Sequence, residues 1–120
     1  MTAPNMINTA TVTGKTATAN LSTSASNIIV NSSSSSTLVK LNHLILSNYG
    51  NATVTGSLFY YRYSTSLGYY LVSNLSVPNN SALVVLGKDT PIYMEEGDVL
   101  QAFSNTANSM AVISSYEIIS

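Results

Sequence analysis

From residue 37 onward, short runs of apolar and β-branched residues alternate with turn-forming residues, at intervals of about 8–12 positions. Side chains alternate between the two faces of a strand, so a strand over 52–63 places Val54, Leu58 and Tyr60 on one face. No window combines the 3.6-residue period of a helix with caps at both ends. The predicted strands cover 37–47, 52–63, 69–72, 82–86, 91–94, 99–103 and 110–119.

The first 36 residues have a different pattern, rich in Thr, Ala, Ser and Asn and poor in large apolar side chains. Weak strand signals at 11–16 and 27–30 precede five consecutive serines, which predict a flexible loop. Glycines predict a turn at Gly14 and a break at Gly68. We therefore predict two parts: residues 1–36, an extended N-terminal arm or edge strands with a Ser-rich loop, and residues 37–120, a β-sandwich body. The arm completes a sheet of this chain or of a neighbour.

Many short strands with turns between them predict an all-β fold, an antiparallel β-sandwich or jelly roll. The length of 120 residues predicts one domain, and 45% apolar residues are enough for its core. Charged residues make up only 8%, against about 25% in typical domains. Ser, Thr and Asn take their place, which predicts a neutral, hydroxyl-rich surface.

Composition excludes several classes of function. Four cationic residues cannot form the basic field of a nucleic-acid-binding protein, and a chain without cysteine forms no disulfide framework or thiolate zinc site. No apolar run approaches the length of about 20 residues that a membrane helix needs. Residues 1–5 lack the features of a signal peptide, so we expect synthesis in the cytoplasm without a cleaved signal.

The chemistry available for catalysis is sparse. His43 is the single histidine, and no Gly-x-Ser-x-Gly nucleophile elbow is present. A packed or hydrogen-bonded strand residue is the more frequent role for such a histidine. The sequence therefore predicts no enzyme, no catalytic residue and no cofactor.

Four of the five acidic residues fall within ten positions. Calcium prefers several carboxylate ligands, but this spacing matches no calcium loop, and Glu-Glu-Gly-Asp is an ordinary turn between strands. We predict no metal site. The weak candidate ligands for such a site are Asp89, Glu95, Glu96 and Asp98.

Tyrosines concentrate in one stretch, where they predict either a partner surface or cross-strand structural contacts, with sugar stacking as a smaller alternative. The apolar C-terminus indicates that the last strand is paired, within the sheet or across a subunit boundary. The interface candidates are Tyr60, Tyr61, Tyr63, Tyr69, Tyr70, Ile118 and Ile119.

Several short segments carry a resemblance that covers nearly the whole chain. They are 3–7 (APNMI), 12–17 (VTGKTA), 77–85 (VPNNSALVV), 88–98 (KDTPIYMEEGD) and 115–120 (SYEIIS). The chain resembles small virion structural proteins of tailed bacteriophages, such as those of phages that infect marine cyanobacteria. The tyrosine-rich stretch after Leu58 departs from that pattern and marks a candidate partner surface of its own.

The resemblance implies a non-enzymatic virion protein and carries over no catalytic or ligand residue. We expect capsid decoration (cement), with a neck, tail or fibre role as the alternative and a carbohydrate-binding β-sandwich module as an alternative of another class. The expected partners are further copies of the chain, in a small homo-oligomer such as a trimer, and the phage major capsid protein or neck and tail proteins. Nucleic acid and membrane are not expected partners.

Overall fold

The computed structural model describes residues 11–87 and 89–120, and every regular element within them is a β-strand. The expectations for residues 1–10 and for Lys88 lie outside the described residues. No helix in the described ranges has the length and apolar character needed to cross a membrane. The strands are β1 (Val12–Asn20), β2 (Ser26–Val30), β3 (Leu38–Asn48), β4 (Val54–Arg62), β5 (Leu67–Val77), β6 (Ser81–Leu86), β7 (Ile92–Met94), β8 (Val99–Ser104) and β9 (Met110–Ile119).

The strands form two antiparallel sheets. Sheet A has the order β1-β9-β3-β6, with the short β7 also beside β3, and sheet B has the order β2-β8-β4-β5. Apart from β7, the pairs are nested: the first strand pairs with the last, the second with the second-last, and so on to the central hairpin β4-β5. This nested hairpin, folded over into two facing sheets, is a jelly roll. The predicted all-β fold is confirmed.

Alternation along the strands fills the space between the sheets. Alternation places Val54, Leu58 and Tyr60 on one face of β4, and the structure buries that face. In β3 a register shift at residue 42 lets both Leu41 and Leu44 face the core, although they are three positions apart. Other fully buried side chains are Leu46, Val77, Met94, Leu100, Met110 and Val112.

The segment 11–36 is divided between the two sheets. β1 lies at the edge of sheet A beside β9 of the same chain, and β2 lies at the edge of sheet B beside β8. The predicted turn at Gly14 is wrong, because Gly14 lies inside β1 opposite Glu117. The predicted break at Gly68 is also wrong, because Gly68 lies inside β5 opposite Tyr61. Backbone pairing with the neighbouring strand outweighs the weak local preference of glycine at both positions.

The serine run is held by hydrogen bonds rather than left flexible. The amide nitrogen of Asn31 donates to the carbonyl oxygens of Thr37 (3.0 Å) and Met94 (3.1 Å). The amide oxygen of Asn31 accepts from the hydroxyls of Ser35 (2.6 Å) and Thr37 (3.0 Å). One buried asparagine therefore ties the loop between β2 and β3 to the end of β7.

Candidate interaction surfaces

The acidic turn between β7 and β8 is organised by Asp98, which is 1% exposed. Its carboxylate accepts hydrogen bonds from the backbone N–H of Tyr63 (3.0 Å), the backbone N–H of Glu95 (3.0 Å) and the Tyr60 hydroxyl. Burial, followed by the hydrogen bond to Asp98, raises the pKa of Tyr60 well above its usual range. Asp98 is thus a structural clamp that joins the end of β4 to the turn before β8.

The remaining acids of the turn have other partners. Glu95 forms an exposed ion pair with Arg62 at 3.3 Å. Glu96 accepts a hydrogen bond from the Ser36 backbone N–H at 2.8 Å, and its other oxygen is buried without a partner among the described residues. Asp89 is exposed. Nowhere in the described ranges do three metal-binding side chains converge, so the turn offers Asp89, Glu95, Glu96 and Asp98 no common ligand position.

His43 lies on the outer face of sheet A, opposite Ser115 on β9. Both line a shallow depression of about 590 Å³ together with Lys40, Asn42 and Glu117. No hydrogen bond joins Ser115 to His43 in the part of the chain that the structure describes, and Glu117 accepts from the Asn42 amide at 3.2 Å. Ser115 and His43 therefore do not form a hydrogen-bonded nucleophile–base pair in this structure.

The structure separates the predicted interface tyrosines. Tyr60 points into the core, where its hydroxyl is bonded to Asp98, so it offers no outer surface. Tyr63, Tyr69 and Tyr70 are exposed, and Tyr61 is half-buried. The interface prediction thus rests on these four residues among the tyrosines.

The two C-terminal interface candidates are paired within the chain. Ile118 and Ile119 lie in β9, between β1 and β3. Ile118 packs against the core, and Ile119 is buried. Within the chain, the last strand therefore has neighbours on both sides.

An aromatic face covers the outer side of sheet B and consists of Phe59, Tyr61, Tyr70 and Phe103. The ring centroids of Phe59 and Tyr70 lie 5.0 Å apart at 73°, and those of Tyr70 and Phe103 lie 6.4 Å apart at 72°. A β-carbon at Gly68 would overlap the Phe59 ring, so glycine makes room for that ring. Because the rings meet edge to face, they do not form one flat platform for a sugar.

Sequence reasoning missed Phe59 and Phe103. The alternation of β4 places Phe59 and Tyr61 on the same face, and this local signal was sufficient to find Phe59. Phe103 joins the face only through the pairing of β8 with β4, in which it lies opposite Ser57. No local signal in the sequence predicts that contact.

The aromatic face is nearly free of charge. Within the four strands of sheet B the single charged side chain is Arg62, at the end of β4. At the β2 side, the Gln101 amide donates to the Asn27 amide oxygen at 2.8 Å. Protein–protein interfaces commonly have a core rich in aromatic residues and poor in charged ones, surrounded by a polar rim. The aromatic face has this composition.

Comparison with known proteins adds information on the fold. No protein-family model matches the chain, and no curated protein matches it in sequence. A structure of the acid-stable capsid of Helicobacter pylori bacteriophage KHP30 contains a chain that is similar over 93% of this chain and 90% of its own length, with a TM-score of 0.51 and 11% identity. A structure of Bacillus endospore appendages, described as disulfide-linked pili, is similar over 99% of this chain and 95% of its own, with a TM-score of 0.50 and 12% identity. This chain therefore shares its whole fold with single chains of about the same length in a phage capsid structure and in a pilus.

Proposed function

We propose that this chain is a non-enzymatic structural subunit of a virion, and that it decorates the capsid as a cement protein. The observation that carries the proposal is the aromatic face of sheet B. It places Phe59, Tyr61, Tyr70 and Phe103 on one side of the sheet, with Tyr70 55% exposed.

The physical properties of this face suit docking by contact area. Burying it requires no desolvation of an ion, and Tyr and Phe rings supply large apolar area with few rotatable bonds. Its association depends little on salt, because there is almost no charge to screen. A subunit with such a face binds a neighbouring capsid protein without a cleft.

The fold comparison supports this role. The similar chain in the phage capsid structure is matched over 90% of its length, so a jelly roll of this size stands there as a whole chain rather than as part of a larger subunit. We infer the same arrangement here: a small separate subunit whose aromatic face lies against the major capsid protein.

Mass spectrometry of purified particles with copy-number measurement tests the role. Hundreds of copies per particle support decoration, a dozen or fewer place the protein in the neck or tail, and its absence from particles refutes a virion role.

A binding assay tests the surface. Tyr70→Glu places a charge within the aromatic face, and we expect it to abolish binding to particles assembled without this protein. Tyr49→Glu is the matched control, because Tyr49 is similarly exposed but lies in the loop between β3 and β4. Equal binding by both variants contradicts docking through the aromatic face.

A fibre subunit is the second candidate, favoured by the similarity to a pilus chain over 99% of this chain. Any such filament differs in its linkage, because this chain has no cysteine and forms no disulfide. Electron microscopy of the concentrated protein distinguishes the two roles: filaments support the fibre subunit, and discrete particles support decoration.

A further inference from the structure

The outer face of sheet A differs from the aromatic face in carrying charges of both signs beside an apolar row. Lys40 on β3 lies opposite Glu117 on β9, and four residue pairs further along Ile45 lies opposite Ile113. Ile113 is 40% exposed and lies outside the core cluster. An apolar row on adjacent strands of one face is a candidate contact surface.

The register extends these two rows across the whole sheet. The first row is Gly14, Glu117, Lys40 and Tyr93, and the second is Thr18, Ile113, Ile45 and Val84, each from β1, β9, β3 and the β6/β7 edge in that order. The first row runs from Gly14 at the β1 edge to the large Tyr93 at the opposite edge, and the second runs from the polar Thr18 to the apolar Val84. Tyr93 is 41% exposed and Val84 is 61% exposed.

We propose that this face binds a second copy of the same chain through a two-fold axis that runs parallel to the strands, midway between β3 and β9. Such an axis places β3 of one copy over β9 of the other. Lys40 then faces the partner's Glu117, and Ile45 faces the partner's Ile113, each contact occurring twice. An isologous interface requires a self-complementary patch, and this face supplies both charges and both halves of the apolar row.

The shape of the face fits the same axis. β6 and β7 of one copy lie over β1 of the other, so Tyr93 faces the partner's Gly14 and Val84 faces the partner's Thr18. A β-carbon at Gly14 would meet no atom within 4 Å, so there is open space above this glycine. The ring of Tyr93 at one edge therefore lies over the open position at Gly14 of the other copy.

The area of the face fits a weak dimer. Four strands about 4.8 Å apart and four rows about 6.8 Å apart give roughly 500 Å² on each copy, or about 1,000 Å² in total. This value lies at the threshold of specific interfaces and below the range of standard stable ones. The arrangement is a dimer, whereas the sequence led us to consider a trimer, and it holds whether or not the protein is part of a virion.

Charge exchange provides the sharpest test. Lys40→Glu and Glu117→Lys each bring like charges together across the axis, and we expect each variant alone to need about tenfold more protein to dimerise than the wild type. When the two variants are mixed, one chain has carboxylates at positions 40 and 117, and the other chain has ammonium groups at both positions. Each carboxylate then lies opposite an ammonium group across the axis. We therefore expect a heterodimer as stable as the wild-type dimer, which sedimentation and native mass spectrometry measure against the 12.7 kDa chain mass.

A second pair of variants covers the apolar row. We expect Ile113→Lys to be monomeric, whereas Val30→Lys, at a similarly exposed valine of sheet B, stays dimeric. A wild-type monomer or trimer, a mixture of the charge variants that does not pair, or an Ile113→Lys variant that remains dimeric would each overturn the proposal. Copy number in particles is independent of all these outcomes, so failure of the dimer and failure of the virion role are distinguishable.

Discussion

The outer faces of the two sheets of this jelly roll differ in charge and in aromatic content. The sheet B face is aromatic, and Arg62 at its end is the single charge of the four strands. The sheet A face has Lys40 and Glu117 in one row and an aliphatic row four residue pairs away. A face with paired opposite charges can match a copy of itself, whereas an uncharged aromatic face needs only a partner with apolar area. This difference is the basis of the two contacts that we propose, one with a like chain and one with an unlike chain.

The supports of the two faces also differ. The aromatic face depends on an end clamp, in which buried Asp98 joins Tyr60 and Tyr63 to the turn before β8. The sheet A face lies on β3 and β9, which are paired along nearly their whole lengths. Loss of the clamp should therefore disturb the aromatic face while sheet A keeps its own support.

The largest expected effect is that of Asp98→Ala. It leaves one buried and two partly buried donors without their acceptor, and we expect a loss of about 3 kcal/mol in the free energy of unfolding. Chemical denaturation measures the change. Glu95→Ala, which removes an exposed ion pair, is the control and should cost about 0.5 kcal/mol or less. Equal losses of unfolding free energy in the two variants would show that Asp98 does not stabilise the turn before β8.

The next largest effect is the difference in stability between alanine substitutions at two glycines. Gly68→Ala forces a methyl group into the Phe59 ring, and we expect it to cost about 2 kcal/mol. Gly14→Ala meets open space and should leave the stability of the chain within about 0.5 kcal/mol. Thermal unfolding of both variants at low concentration checks the contrast, and a costly Gly14→Ala would argue against the open position above β1.

A smaller effect concerns Tyr60. Tyr60→Phe removes the hydroxyl that donates to Asp98, with an expected loss of about 1.5 kcal/mol. Because the folded chain raises the pKa of Tyr60, its contribution is complete below the ordinary tyrosine pKa of 10.0 and declines as the pH rises above that value. The stability of the wild type should therefore fall more steeply than that of Tyr60→Phe between about pH 10 and 11. Parallel curves would contradict a raised pKa.

The smallest effect is that of salt on the two contacts. Raising the salt concentration from about 0.05 to 0.5 M shortens the Debye length several-fold and should weaken the sheet A dimer about two- to threefold. Docking through the aromatic face should not weaken under the same change. Sedimentation and particle-binding titrations at both salt concentrations make the comparison, and the opposite order of sensitivity would exchange the roles of the faces.

The sequence alone determined most of the strands and which residues of β4 share a face. Alternation predicted β9 over 110–119 and the common face of Val54, Leu58 and Tyr60, because which side a residue takes depends on its immediate neighbours in a pleated chain. Composition predicted the scarcity of charge. The order of residues showed the tyrosines in one stretch. It did not predict that Tyr60 points inward or that its hydroxyl bonds to Asp98.

Tertiary structure decided which residues share a row. Lys40 lies opposite Glu117, and Phe103 joins the aromatic face, only because β3 pairs with β9 and β4 pairs with β8, which are distant in the sequence. The same pairing kept Gly14 within a strand instead of a turn. Register is selected by burial and hydrogen bonding over the whole sandwich, so no local window contains it. Local alternation therefore determines where the strands of this protein lie, and the long-range register determines which residues share a surface.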